Sequence, residues 1–118
     1  MLFGRAIDIE ESEVPDSLKI VIFRILQEAM NNIAKHSKAN RVHLSFWKTA
    51  GMIELKIRDN GQGFDPVIAS PRVGTSSGLG LASMRERAEL SGGTFSIESG
   101  EGTGTVIRAG WPIEQLSP

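Results

Sequence analysis

The sequence contains no cysteine, which removes disulfides, thiolate metal sites and cysteine nucleophiles together. It also lacks an excess of either charge: 13 basic residues face 14 acidic ones, a formal net charge of −1. Such a balance gives no broad basic face for neutralising nucleic-acid phosphates, so nucleic acid is not expected as a partner. Long hydrophobic runs are missing too. The longest, Ile20 to Phe23, is far below the ~20 residues of a membrane-spanning helix. Met1-Leu2-Phe3 passes into Gly4 and Arg5, which is not the apolar stretch of a signal peptide. These absences predict a soluble, cytoplasmic chain with no direct membrane contact, whether or not its parent is membrane-anchored. At 118 residues one domain is expected, residues 1–118, large enough to bury about two-thirds of its unfolded surface.

What the chain does have is glycine, 13 residues against an average usage of about 7%, crowded between Gly61 and Gly104. Around them the apolar pattern is clear. Phe3 to Glu10 alternates loosely and reads as a short edge strand. Glu13-Val14-Pro15-Asp16 reads as a helix start with Pro15 near the first helical position. Leu18, Val21, Ile22, Ile25, Leu26, Ala29 and Ile33 then keep helical spacing, with a stop expected near Ser37. Val42, Leu44, Phe46 and Ile53, Leu55, Ile57 alternate as two strands around an Ala50-Gly51 turn. The segment from Asn60 to Ser77 carries Pro66, Pro71 and several glycines, and a loop of that length in a compact domain is usually functional. A second helix is expected from Leu79 to Leu90, ended by Gly92-Gly93. Strands Thr94–Glu98 and Thr105–Ala109 follow, joined by Gly100-Glu101-Gly102. The order predicts an α+β fold: a two-layer sandwich with helices on one face of a mixed, largely antiparallel sheet.

Four segments carry candidate chemistry. On the first helix Glu28, Asn32 and Lys35 fall within about 60° of one another, bordering the apolar stripe. A carboxylate, an amide and an ammonium so arranged suit a metal–phosphate group, although a solvated Glu–Lys edge would look the same. Period two carries the inward set Ile53, Leu55, Ile57 on to Asp59 and drives a carboxylate toward the core. A buried acid needs partners; the exocyclic amine of adenine would be one, and Asp59-Asn60-Gly61 is also good turn sequence without any ligand. Gly78-Leu79-Gly80-Leu81 opens a helix whose free N–H groups can receive an anion, yet it is neither a Walker A loop nor a Rossmann fingerprint. Gly102-Thr103-Gly104-Thr105 would place the Thr105 hydroxyl on the face of Asp59, or simply make a hairpin turn.

Taken together in this order, the segments resemble the nucleotide-binding domain of the ATPase superfamily that unites gyrase, heat-shock chaperones, histidine kinases and mismatch-repair proteins. Glu28 to His36 is similar to its N box, Asp59 to Asp65 to the first glycine box, Gly78 to Leu81 to the second, and Gly102 to Thr105 to the last. Gly78 to Gly93, with Met84-Arg85-Glu86-Arg87 inside it and Trp111-Pro112 beyond, resembles sensor histidine kinases paired with helix-turn-helix response regulators of the nitrate/nitrite type. The resemblance implies Mg²⁺-ATP as cofactor, Asn32 on the metal, Asp59 on adenine and Glu28 assisting phosphoryl transfer. It implies further nucleotide contacts from Lys35, His36, Gly61, Gly63, Gly78, Leu79, Gly80, Leu81 and Thr105, and a lid over roughly Phe64 to Ser77. In that family the phosphoacceptor histidine sits in an upstream dimerisation domain. No histidine precedes Glu28 here, so the fragment is expected to be a monomer that binds ATP without phosphorylating itself. Its expected partners are that dimerisation domain and a response regulator. A serine kinase of the anti-sigma type, or a partner-binding module that no longer uses ATP, are the competing readings.

Overall fold

The computed structural model describes residues 2–34, 39–49, 51–61, 81–100 and 104–112. Strand β1 (Leu2–Asp8) leads through a 3₁₀ turn (Glu11–Glu13) into helix α1 (Asp16–Asn32). Strands β2 (Arg41–Thr49) and β3 (Met52–Asp59), helix α2 (Leu81–Leu90), and strands β4 (Thr94–Gly100) and β5 (Gly104–Pro112) follow. The sheet order is β1-β2-β3-β5-β4. β1 runs parallel to β2 and the other neighbours are antiparallel, so the sheet is mixed as expected.

Side chains opposite one another across a sheet share a face, and here the register sorts them cleanly. Leu44, Ile57, Ile107 and Ile97 make one inward rung; Phe46, Leu55, Ala109 and Phe95 make the next. Leu18, Ile22, Ile25, Ala29 and Ile33 of the first helical segment and Met84 and Ala88 of α2 close over these rungs in one core. Both helices therefore lie on the same side of the sheet. The cover stops short of β1, where Phe3 and Ile7 remain 53% exposed.

The helix start falls where the sequence reading placed it, with Pro15 beside the first helical position, and the ends of the last two strands differ. Pro15 is the N-cap, not the first helical residue, because its ψ of 143° is extended. Its carbonyl accepts from both Leu18 and Lys19 N–H, at 2.9 and 3.0 Å. At the other end α1 stops at Asn32, with Ile33 N–H shared between the Ala29 and Met30 carbonyls. Ile33 and Ala34 continue in π geometry, and the expected stop near Ser37 lies outside the described residues. The last two strands are each longer than expected, because their ladder continues to Gly100↔Gly104 at the turn and β5 runs on to Pro112.

The C-terminus of α2 is tied to β5. Gly92, at φ +89°, lets its own N–H reach the Glu89 carbonyl and Gly93 N–H reach that of Ala88, at 3.1 and 2.8 Å. This is a Schellman closure with glycine in the left-handed position. Gly93 is equally constrained: a Cβ there would come within 2.5 Å of the Gly110 carbonyl and the Trp111 ring nitrogen. Trp111 is fully buried, and its indole N–H donates to Ser91 Oγ at 2.8 Å. Ser91→Ala should destabilise the fold by about 1–3 kcal/mol, the range for a buried donor left without its acceptor. Urea unfolding monitored by tryptophan fluorescence measures it, and a midpoint equal to wild type would contradict this role.

Candidate functional site

At one end of the inner face the apolar rungs give way to a polar one. Val42 pairs with Asp59, Asp59 with Thr105, and Thr105 with Ser99. The expectation that Asp59 and Thr105 share the inward face is met: they are 5% and 6% exposed. Period two alone brings the carboxylate there, at the last position of β3. Its Oδ1 accepts the Gly61 N–H at 2.8 Å, and Gly61 is itself buried. No donor among the described residues meets Oδ2. Burial pushes the Asp59 carboxyl above its ordinary range, and the Gly61 N–H offsets this only in part. Thr105 Oγ1 and Ser99 Oγ share a hydrogen bond of 2.8 Å, and Ser99 also reaches the Gly104 carbonyl at 3.2 Å.

Two residues that sequence reasoning passed over hold this end in place. Asn60 accepts on Oδ1 from the Arg41 and Asn40 N–H groups, at 2.9 and 3.1 Å, and donates from Nδ2 to Asn40 Oδ1 at 2.6 Å. Gly104 has φ +83°, and a Cβ on it would overlap the Asp59 carbonyl oxygen. The glycine-rich turn before Thr105 was visible in the sequence, and so was the Asp-Asn-Gly triplet. Neither showed which strand it would press against.

On α1, Glu28 and Asn32 lie one turn apart and both are half-buried, flanking the buried Ala29 and Ile33. That is the border position expected from the helical wheel. Leu81 is the first residue of α2. Lys35, His36, Gly63, Gly78, Leu79 and Gly80 lie outside the described residues, as does the lid segment 64–77. Arg85 is a packing residue: its guanidinium stacks over Phe95, 5.2 Å from the ring centroid. His43 is exposed on the outer face of the sheet.

The donor set fits a nucleotide. A buried carboxylate with one oxygen fixed and the other without a described donor is the complement of an amine on a flat, apolar ring. No cluster of three or more acidic or histidine side chains makes a metal cage among the described residues.

The model of the histidine kinase-, DNA gyrase B- and HSP90-like ATPases matches residues 18–115, and the chain belongs to that family of ATP-binding domains. It is 39% identical to the sensor histidine kinase LiaS of Bacillus subtilis over 108 residues, covering 90% of this chain and 28% of LiaS. It is 35% identical to the kinase/phosphatase DegS of the same organism over 104 residues, covering 88% of this chain and 26% of DegS. The chain thus spans little more than a quarter of these relatives. Among solved structures, the histidine kinase domain of a blue-light activated kinase from Erythrobacter litoralis superposes with a TM-score of 0.78 at 20% identity. That superposition covers 97% of this chain and 52% of the other. The catalytic domain of the histidine kinase ThkA gives 0.73 at 21% identity, covering 97% and 80%. The expected α+β fold is the fold these domains share.

The raised Asp59 pKa has a direction that can be tested. A carboxyl whose folded pKa exceeds its unfolded one favours the fold when protonated; that contribution is lost as pH rises through the folded pKa. At neutral pH the charged Asp59 therefore weighs against the nucleotide-free fold. Asp59→Asn should raise the urea midpoint at pH 7, and the gain should vanish below the unfolded carboxyl range near ~3.9. A difference that stays constant across that pH range would refute the burial argument.

Proposed function

We propose that this chain binds Mg²⁺-ATP and, within a sensor histidine kinase, transfers the γ-phosphate to a histidine on a separate dimerisation domain for relay to a response regulator. The observation that carries this reading is the buried Asp59, held by Gly61 on one oxygen and set beside Thr105. Asp59 accepts from the adenine amine. Thr105 lies near enough in the rung to complete the polar edge. Asn32 would hold Mg²⁺ through its amide oxygen, and the ion would supply charge neutralisation at the phosphates. Glu28, one turn away on α1, orients or deprotonates the incoming histidine. Lys35, His36 and the backbone N–H groups of the Gly78 to Leu81 motif would complete the phosphate and nucleotide contacts.

The kinship with LiaS and DegS supports a two-component role. The run Met84 to Arg87 supports the narrower assignment to kinases that pair with helix-turn-helix response regulators of the nitrate/nitrite type. Among the described residues no helix is long and apolar enough to cross a membrane. We place the domain itself in the cytoplasm.

Calorimetric titration with a non-hydrolysable ATP analogue, with and without Mg²⁺, tests the site. Asp59→Asn should weaken binding by roughly 1.5–3 kcal/mol, the range for a charge-assisted hydrogen bond; a folded variant with wild-type affinity removes Asp59 from the adenine site. Glu28→Gln should leave nucleotide binding intact and lower the rate of transfer to a supplied histidine domain by about 10²–10⁴-fold, the scale of general-base catalysis. Full transfer by that variant would rule out the role given to Glu28.

A further inference from the structure

The β2–β3 ladder would continue past Val42↔Asp59 to a pairing of Arg41 with Asn60. Half of that pairing exists: Asn60 N–H donates to the Arg41 carbonyl at 3.2 Å. The other half does not run backbone to backbone. Arg41 N–H instead donates to the Asn60 side-chain Oδ1 at 2.9 Å. The side chain thus stands where a main-chain carbonyl would stand in an unbroken ladder. This satisfies the first donor of β2 while the backbone leaves β3. The turn is what brings Gly61 N–H back to Asp59 Oδ1 at 2.8 Å.

From this geometry we infer that Asn60 is a positioning residue for nucleotide recognition: its side chain ends β3 one residue after Asp59 and so fixes which carboxylate oxygen is left for the ligand. This rests on the assignment of Asp59 to the adenine amine. Without Asn60 Oδ1, the Arg41 N–H regains a partner most directly from the Asn60 backbone carbonyl. That would extend the strand by one residue and carry Gly61 away from the carboxylate. Asn60 and Asn40 are both exposed, so the residue has no core-packing role to confuse the result. Their mutual bond at 2.6 Å holds the amide in the orientation that keeps Oδ1 toward the strand. An aspartate at position 60 would lack that donor.

The test compares ATP with purine riboside triphosphate, which lacks only the 6-amino group, against the wild-type chain, Asn60→Ala and Asp59→Asn. Asn60→Ala should lose about tenfold in ATP affinity, a change of ~1.4 kcal/mol. Binding of the amine-free analogue should change little, so that discrimination between the two nucleotides collapses toward that of Asp59→Asn. A merely structural loss would weaken both nucleotides alike, and that result, or unchanged discrimination, overturns the inference. If Asp59→Asn itself discriminates as wild type does, the adenine assignment falls and this inference with it. Should Asn60→Ala fail to fold, Asn40→Ala carries the same comparison. It removes only the bond that orients the Asn60 amide, and a smaller loss confined to ATP is then the supporting outcome; equal losses for both nucleotides overturn the inference.

Discussion

A carboxylate at the end of an apolar sheet face is the constraint on which the rest of this site depends. Asp59 is the fourth member of an inward series whose first three are Ile53, Leu55 and Ile57, each at most 2% exposed. A charge in that row is costly unless donors meet it. The backbone supplies one by leaving the strand at once, so that Gly61 folds back onto Oδ1. Leaving the strand strands the Arg41 N–H, which Asn60 then satisfies with its side chain. On the far side β5 can begin only with a glycine, since any side chain at 104 would occupy the space of the Asp59 carbonyl oxygen. Gly61 and Asn60 thus follow from the carboxylate, and Gly104 from the backbone beside it.

The two ends of the sheet are built for different purposes. At the end away from Asp59, Ile53 pairs with Trp111, and Trp111 is locked to the C-terminal turn of α2 through Ser91. Lys48 at the same end meets Glu13 at 2.7 Å, drawing the 3₁₀ turn onto β2. That pair is partly exposed and adds little stability by itself, but it fixes where the chain enters α1. These ties concentrate close packing where no ligand is proposed. The opposite end carries the polar rung, and its hydrogen bonds are set by short side chains and glycine backbone.

Much of this was legible in the sequence, because it follows from strict periods. Spacing by three and four located the buried stripe of α1 from Leu18 to Ile33. Spacing by two carried Asp59 inward and offered the same face to Thr105. What stayed hidden depends on pairings between distant residues. Asn60 meets Asn40 and Arg41 across the hairpin, and Ser91 meets Trp111 across twenty residues; a local reading of Asp-Asn-Gly or Ser-Gly-Gly finds only turns. The placement of β5 between β3 and β4 is of the same kind. Alternation identifies a strand and its faces, whereas its neighbours are chosen by the whole core. Pro15 shows the limit at short range: its fixed φ suits either the N-cap or the first helical position, and only ψ separates them.

On the proposed reading, the arrangement also explains why recognition and chemistry would be divided between two bodies. His43 is exposed on the outer face of the sheet, with the sheet itself between its ring and the carboxylate of Asp59. Its neighbours there are Ser45, whose hydroxyl lies 3.3 Å from Nδ1, and Arg58 directly across the ladder. In-line transfer needs the acceptor nitrogen on the phosphate side at near-contact distance, and no rotamer of His43 passes through a hydrogen-bonded sheet. On the proposed reading, a base at Glu28 would act on a histidine that another surface brings to it. On that reading the described end of this domain would select adenine and hold it still, and the identity of the acceptor would be decided by whatever docks there.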